Sequence, residues 1–394
     1  MRKERLSSVV AVLESGSRPK GGVQEGTEGV LSLGAEHLDG KGGFDFSKVK
    51  RIPREYFGQM KKGRVARGDI LVVKDGATTG KTSFVGAAFP DEPTAVNEHV
   101  FIVRVDSSRA FPAYVFRFLR SPRGQLQVLS DFRGATVGGV SRGFVDRVKI
   151  PLPPLPEQRR IAAILDKADA VRRKRQQTLD LADQFLRSAF LDMFGDPVTN
   201  PKGWPVKKLG ELLVFLTSGS RGWARYYSEE GAAFLRIQNV GRNRLLLDDL
   251  AHVIPPDTKE AERTRLQTGD VVLSITADLG RAAVIPDSLG PAHVNQHLGL
   301  LRVEDIEPLF LAEFLITDAA QLQFRALDTG QTRSGLNFND LKRLKIPLPP
   351  MELQKGFASM HSRGEESRIR YQKLLSETGE LSSTLVQRAF LGEL

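Results

Sequence analysis

"VKIPLPPLPEQ" at residues 148–158 returns as "LKIPLPPMELQ" at 344–354, and this repetition sets the organisation of the whole chain. The similarity extends outward in both directions. Before the motif, "LSSVVAVLESGSR" (6–18) answers to "LGELLVFLTSGSR" (209–221), "RGDILVVKDGATTGK" (67–81) to "TGDVVLSITADLGR" (268–281), and "AVNEHVFIVRVD" (95–106) to "HVNQHLGLLRVE" (293–304). After it, each copy continues into a charged and apolar stretch ending in "RSAFL" (187–191) or "QRAFL" (387–391). The chain is a tandem duplication of two mixed units of roughly 150 residues, each followed by a long helix.

The helices carry the strongest local signal. From Glu157 to Phe194 there is no glycine and no proline, and Ile161, Ile164, Leu165, Ala168 and Val171, then Leu179, Ala182, Phe185, Leu186, Ala189 and Phe190, recur at steps of three and four. That spacing predicts one helix ~57 Å long at about 1.5 Å per residue. A second helix is expected from Met351 to Leu391, weakened by Gly356, Gly364 and Gly379. Two such apolar stripes predict an antiparallel coiled coil. Between motif and "AFL" the second copy is four residues longer, which is about one helical turn and preserves the apolar face.

The mixed units read as short strands and turns. Strands are predicted at 70–73, 100–105 and 148–152 in the first copy, with a helix at 111–119; in the second they fall at 234–237, 271–275, 298–303 and 344–348, with a helix at 308–326. "RIPREYF" and "VIPPDTK" read as proline-led loops. The fold class is therefore α+β, with two tandem mixed α/β domains separated by two long helices packed as an antiparallel coiled coil, in a pseudo-two-fold repeat.

Composition narrows the function. The chain has 394 residues, 40% hydrophobic and 26% charged, with 57 Lys+Arg against 47 Asp+Glu for a net charge of +10. That excess suits a partner carrying negative charge. The absence of cysteine excludes thiol nucleophiles, disulfides and cysteine zinc sites. No apolar run approaches the ~20 residues of a membrane helix. The opening, basic and then apolar, mimics a signal peptide, but its twin at 209–221 marks it as structure, and a cytoplasmic location is expected.

"DGATTGKT" (75–82) imitates a phosphate loop of a nucleotide hydrolase, but Asp75 stands where the first glycine belongs and Gly76 is one residue too close. Its twin "TADLGRAA" (276–283) retains only the glycine and a cation, with no hydroxyl for magnesium. "HVNQH" places His293 and His297 at i and i+4 without the glutamate of a zinc protease, and the first copy has Ala95 for the first histidine. No nucleophile elbow, no Asn-Pro-Pro-aromatic motif of an amino-methyltransferase and no spaced nuclease carboxylates are present. No catalytic residue, metal or cofactor is predicted.

Recognition remains. The first copy carries Arg18, Lys20, Lys74, Thr78, Thr79, Lys81 and Arg133 in predicted loops; the second carries Arg221, Arg225, Gln238, Asn239, Arg242, Arg244, Arg281, Gln331 and Arg333. Arginine can read guanine and Asn or Gln can read adenine, while lysine and hydroxyls hold phosphates. These residues are the expected DNA contacts.

Two variable mixed units alternating with two repeated helices, each helix preceded by "IPLPP" and a following glutamine, resemble the specificity subunit of Type I restriction-modification systems. "IPLPPLPEQRRIAAILDKAD" is the most specific segment; "IPLPPMELQKGFASM" departs from it by lacking the Glu-Gln pair and carrying Gly356. The resemblance implies target recognition domains at 1–154 and 198–350 and helical spacers at 155–197 and 351–394. It implies a non-catalytic subunit reading one half of a bipartite, asymmetric double-stranded DNA site with each domain. The implied partners are two methyltransferase subunits and, in the full complex, restriction and translocase subunits; no membrane is involved. A stand-alone DNA-binding regulator or scaffold is the rival expectation, weakened by the lack of a helix-turn-helix pattern.

Overall fold

A computed structural model describes residues 2–394 apart from 21, 23, 26, 27, 131, 133–137 and 328–334. The chain divides into two units, residues 1–176 with 373–394 and residues 177–372. Each unit thus takes part of both long helices.

In the first unit, Ile70–Val73 is buried along its whole length because both of its faces are covered. It lies in an antiparallel sheet of order Val10–Ser15, Val100–Val105, Ile70–Val73, Thr82–Phe84. Alternate side chains point to opposite faces. Ile70, Val72, Phe101 and Val103 meet a helical layer containing Pro112–Arg120 and Pro122–Leu129. Leu71, Val73, Val100 and Ile102 meet a second sheet, ordered Gln24–Glu25, Lys50–Ile52, Val30–Leu33, Thr94–Val96, whose last pair is parallel. A short ribbon of Lys3–Arg5 with Lys149–Pro151 ties the start of the chain to the proline-rich motif. The second unit repeats the plan, with one sheet of Leu213–Ser218, Leu298–Val303, Val271–Ser274 and Ala282–Val284. Its second sheet is ordered Tyr227–Ser228, Ala251–Val253, Ala232–Leu235, Ala292–Val294.

The long helices span Leu155–Phe194 and Met351–Leu391. In the first unit, Ile161, Ala162 and Leu165 of one share a core with Ala389 and Phe390 of the other, while Arg175 donates to the Leu374 carbonyl and the Thr378 hydroxyl. In the second, the rings of Phe190 and Phe194 pack on Phe357, and Leu186 lies beside Gly364. In both units the numbers rise along one helix as they fall along the other, so the pairing is antiparallel. The "AFL" endings gain a meaning here. Phe390 inserts against Tyr114 and Phe118 of the first unit, and Phe190 against Phe310 of the second. Each phenylalanine closes the core of the domain that does not precede its helix.

Several local expectations change. The second long helix runs without interruption through its three glycines, each costing about 1 kcal/mol relative to alanine, because packing supplies most helix stability. The helix predicted at 308–326 is two, Pro308–Leu315 and Asp318–Leu327, and the strand predicted at 234–237 is Ala232–Leu235 followed by a tight turn of helix at Ile237–Asn239. "RIPREYF" (51–57) runs into the helix Arg54–Gln59, led by Pro53, and "VIPPDTK" ends at the start of Lys259–Arg263. Pro53 stands directly before its helix, where a missing N–H costs nothing, whereas Thr258 caps the second by accepting from the Ala261 amide at 3.2 Å.

The repeated glycine of "SGSR" has a steric reason. A Cβ on Gly16 would sit 1.6 Å from the Val96 carbonyl oxygen, and one on Gly219 would sit 2.1 Å from that of Val294.

The glutamine of the motif is a scaffold residue. Gln158 is buried; its Oε1 accepts from the Phe111 amide at 2.8 Å and its Nε2 donates to the Pro153 carbonyl at 2.8 Å. Gln354 repeats this with Glu307 at 2.9 Å and Pro349 at 2.7 Å. Each glutamine locks the proline-rich corner to the residue preceding a helix of the recognition unit. Gln158→Ala is expected to lower stability by about 1–3 kcal/mol, since one buried and one partly buried backbone group lose their partner; the midpoint of urea unfolding measures it, and an unmoved midpoint would contradict the assignment.

Candidate nucleic-acid interface

Strand register brings three loops to one end of the first unit's main sheet. Ser15 pairs with Phe101 and Val73 with Val100, so segments 16–20, 74–81 and 97–99 emerge together. The Gly16 amide bonds to the Asn97 carbonyl at 3.2 Å, and Asp75 forms a bridge with Gly139. In the second unit Ser218 pairs with Gly299 and Ser274 with Leu298; Gly219 bonds to Asn295 at 3.1 Å, and Thr276 bridges Gly335. The same loop cluster is therefore built twice.

Histidines stand at the centre of both. His99 Nδ1 lies 2.5 Å from Asp75 Oδ1 and its Nε2 3.4 Å from Glu98 Oε1. His297 Nδ1 lies 2.7 Å from Thr276 Oγ1 and its Nε2 3.0 Å from the Gln296 amide nitrogen. His99 and His297 are thus both held by polar partners within their loops. His293 lies buried against the Trp223 ring, and burial lowers its pKa. Among the described residues no group of His, Asp or Glu has the arrangement of a metal site.

The turn after Val73 uses left-handed backbone at Gly76 (φ 91°) and Gly80 (φ 86°), matched by Ala277 (φ 61°) and Gly280 (φ 83°). Its lysine is engaged within the fold, since Lys81 Nζ donates to the Leu38 carbonyl at 2.7 Å.

The expected DNA contacts divide accordingly. Arg18, Lys20, Lys74, Thr78 and Thr79 lie in the loop cluster; Lys20 and Thr78 are exposed, and Thr79 Oγ1 donates to the Gly76 carbonyl at 2.7 Å. Arg221, the counterpart of Arg18, is exposed, and Arg225 is exposed over the Tyr226 ring. Gln238 is exposed, but Asn239 is buried with its amide spent on the Leu246 and Asp249 carbonyls and on the Arg236 N–H. Arg242 is exposed beside Ala282, in a turn directed to the helical layer. Arg244 in that turn bonds to Asp183 of the first long helix at 2.8 Å. Arg281 is ion-paired with Asp278. Asn239, Lys81 and Arg244 are thus held by the fold. Arg133, Gln331 and Arg333 lie outside the described residues. Sequence inspection missed Glu98 and Gln296 as partners of these loops; the repeated "NEH" and "NQH" were the available signal.

In the first unit ionic contacts fasten the helical layer to the first long helix. Burial would raise the Asp169 carboxyl, but Arg117, Arg120, Arg173 and Arg172 around it hold it below the ordinary range. In the second unit burial pushes the Glu313 carboxyl up, although Asn243 donates to it at 2.8 Å.

This architecture of a sheet pair, helical layer and helix ends, repeated with its loop cluster, is that of a duplicated recognition scaffold. The family model described as the Type I restriction modification DNA specificity domain matches residues 25–180 and again 201–366. The chain belongs to this family and carries two of its DNA specificity domains. It is 25% identical to the Type I restriction enzyme MjaVIII specificity subunit of Methanocaldococcus jannaschii over 75% of this chain and 71% of that one. To the EcoBI specificity subunit of Escherichia coli it is 19% identical over 93% and 84%. The fold is shared with the S subunit of a Type I restriction-modification system from M. genitalium, with a TM-score of 0.64 and 15% identity over 99% of this chain and 96% of that one. The protein is accordingly a non-catalytic specificity subunit, whose catalysis resides in partner subunits. No helix among the described residues is long and apolar enough to cross a membrane.

Proposed function

We propose that the chain reads a bipartite, asymmetric site on double-stranded DNA, one half with each recognition domain (1–154 and 198–350), and that the helical regions 155–197 and 351–394 set the gap. The observation that carries this is the identical construction of one loop cluster in each unit, on a scaffold of the DNA specificity family. Arg18, Lys20, Lys74, Thr78 and Thr79 would serve the first half-site; Arg221, Arg225 and Gln238 would serve the second, while the turn of Arg242 faces the helical layer. Arg18 and Arg221 suit guanine edges or phosphates, and Gln238 an adenine edge. The subunit would hold two methyltransferase subunits and, in the full complex, restriction and translocase subunits, in the cytoplasm.

The spacer tests the reading. Because each unit holds part of both helices, an insertion must be made in both, at 176/177 and at 372/373. Four added residues lengthen a helix by about 6 Å, close to two base-pair steps of ~3.4 Å. Methylation mapping in cells with the complete system is expected to show both half-sites unchanged and the gap longer by about one or two base pairs. An unchanged gap would reject the spacer role. Purification without any methyltransferase bound would favour a stand-alone regulator.

A further inference from the structure

In the first unit two cations of the loop cluster, Arg18 and Lys74, are already engaged. Glu98 is the hub: its Oε1 pairs with Arg18 Nε at 3.1 Å and faces His99 at 3.4 Å, and its carbonyl receives Lys74 Nζ at 3.5 Å. Asp75 lies 3.8 Å from the same lysine. The Glu98 side chain is 41% exposed, yet its Oε2 is shielded and has no hydrogen-bond partner. A carboxylate held by one oxygen only is incompletely satisfied. The second unit differs at this point. Gln296 replaces Glu98, Thr276 replaces Asp75, and Arg221 is exposed with no ion pair among the described residues.

We propose that Glu98 is a built-in competitor for DNA phosphate: it holds Arg18, and must release it before the first recognition unit engages the DNA backbone. The second unit, with Gln296, has no such competitor. This inference rests on the reading of the loop cluster as the DNA face. Carboxylate and phosphate present similar oxygen pairs to a guanidinium, so one can exchange for the other. The exchange has a cost at any DNA sequence, and it is met only where base contacts add to the phosphate contact. Glu98 therefore suppresses backbone-only binding by the first unit and sharpens its selectivity.

The test uses the full-length chain and a short duplex of random sequence, with binding followed by fluorescence anisotropy over a potassium chloride series. Glu98→Gln is expected to bind about fivefold more tightly at low salt, the upper worth of an exposed ion pair. The slope of log affinity against log salt should steepen by about one, for one further phosphate contact. Gln296→Glu should weaken binding by a similar factor, and Glu98→Gln in an Arg18→Ala background should give no gain. If the wild-type chain binds with salt dependence but Glu98→Gln leaves affinity unchanged or lower, or its gain survives Arg18→Ala, the competitor role is overturned and the DNA face stands. If neither the wild-type chain nor any variant shows salt-dependent binding, the reading of the DNA face fails, and the competitor role with it.

Discussion

Exchange of residues 198–350 for the equivalent domain of another specificity subunit is expected to change one half of the methylated sequence completely and leave the other half intact. The loop cluster of the second unit is built wholly from residues 219–297 and 335, so an exchange removes every contact proposed for that half-site. The exchange also has a structural condition. Phe310 packs against Phe190 and Phe194, whose own rings pack on Phe357, so a graft must present an aromatic residue to those helix positions. A donor with a small side chain at position 310 is expected to cost about 3–5 kcal/mol from the aromatic cavity alone. Methylation mapping reads the sequence change, and denaturant unfolding reads the packing. Alteration of both half-sites by a stable graft would reject the two-reader arrangement.

Arg104→Met is expected to destabilise the first unit by about 3 kcal/mol, and Arg302→Met the second by a similar amount. Asp69 is fully buried, and Arg104 reaches it with Nε and Nη2 at 2.7 Å each; Asp270 receives Arg302 at 2.7 and 2.8 Å. Hydrogen bonds to these carboxylates hold both guanidinium groups above their ordinary pKa. Removing the arginine leaves a buried carboxylate with only a backbone donor, Ala66 or Gln267, at 2.7 Å. The low end of the range for a broken buried pair applies, because Arg104 is itself 36% exposed and water reaches its outer edge. Hydrogen exchange should show lost protection in the altered unit and retained protection in the other. Replacing both partners, as in Asp69→Leu with Arg104→Met, should recover part of the loss. Equal protection in Arg104→Met and wild type would show that the pair carries no stability.

Both members of that pair lie in segments whose repetition is plain, "RGD" with "TGD" and "FIVRVD" with "LLRVE". Their partnership was not, because 35 and 32 residues separate them and no local period connects such positions. The candidate interface follows the same division. Arg18, Lys74 and Thr79 were recognisable as polar loop residues, since the apolar runs beside them define strands and leave them at the ends. The engagement of Lys81 by Leu38, of Asn239 by Leu246 and of Arg244 by Asp183 was invisible, because a side chain's hydrogen-bond partner depends on chain segments brought near only by folding.

By itself the sequence determined the duplication, the two long helices and the buried strands, since each rests on local periodicity or on repetition, which need no knowledge of what lies across the core; the family was reached through the resemblance of the proline-rich motif. Tertiary structure alone decided that Phe190 and Phe390 each close the core of the domain that does not precede their helix, that Gln158 and Gln354 fasten the proline-rich corners, and that Glu98 holds Arg18. The physical reason is that packing, burial and ion pairing act through space, over a few ångströms between residues that can be far apart along the chain.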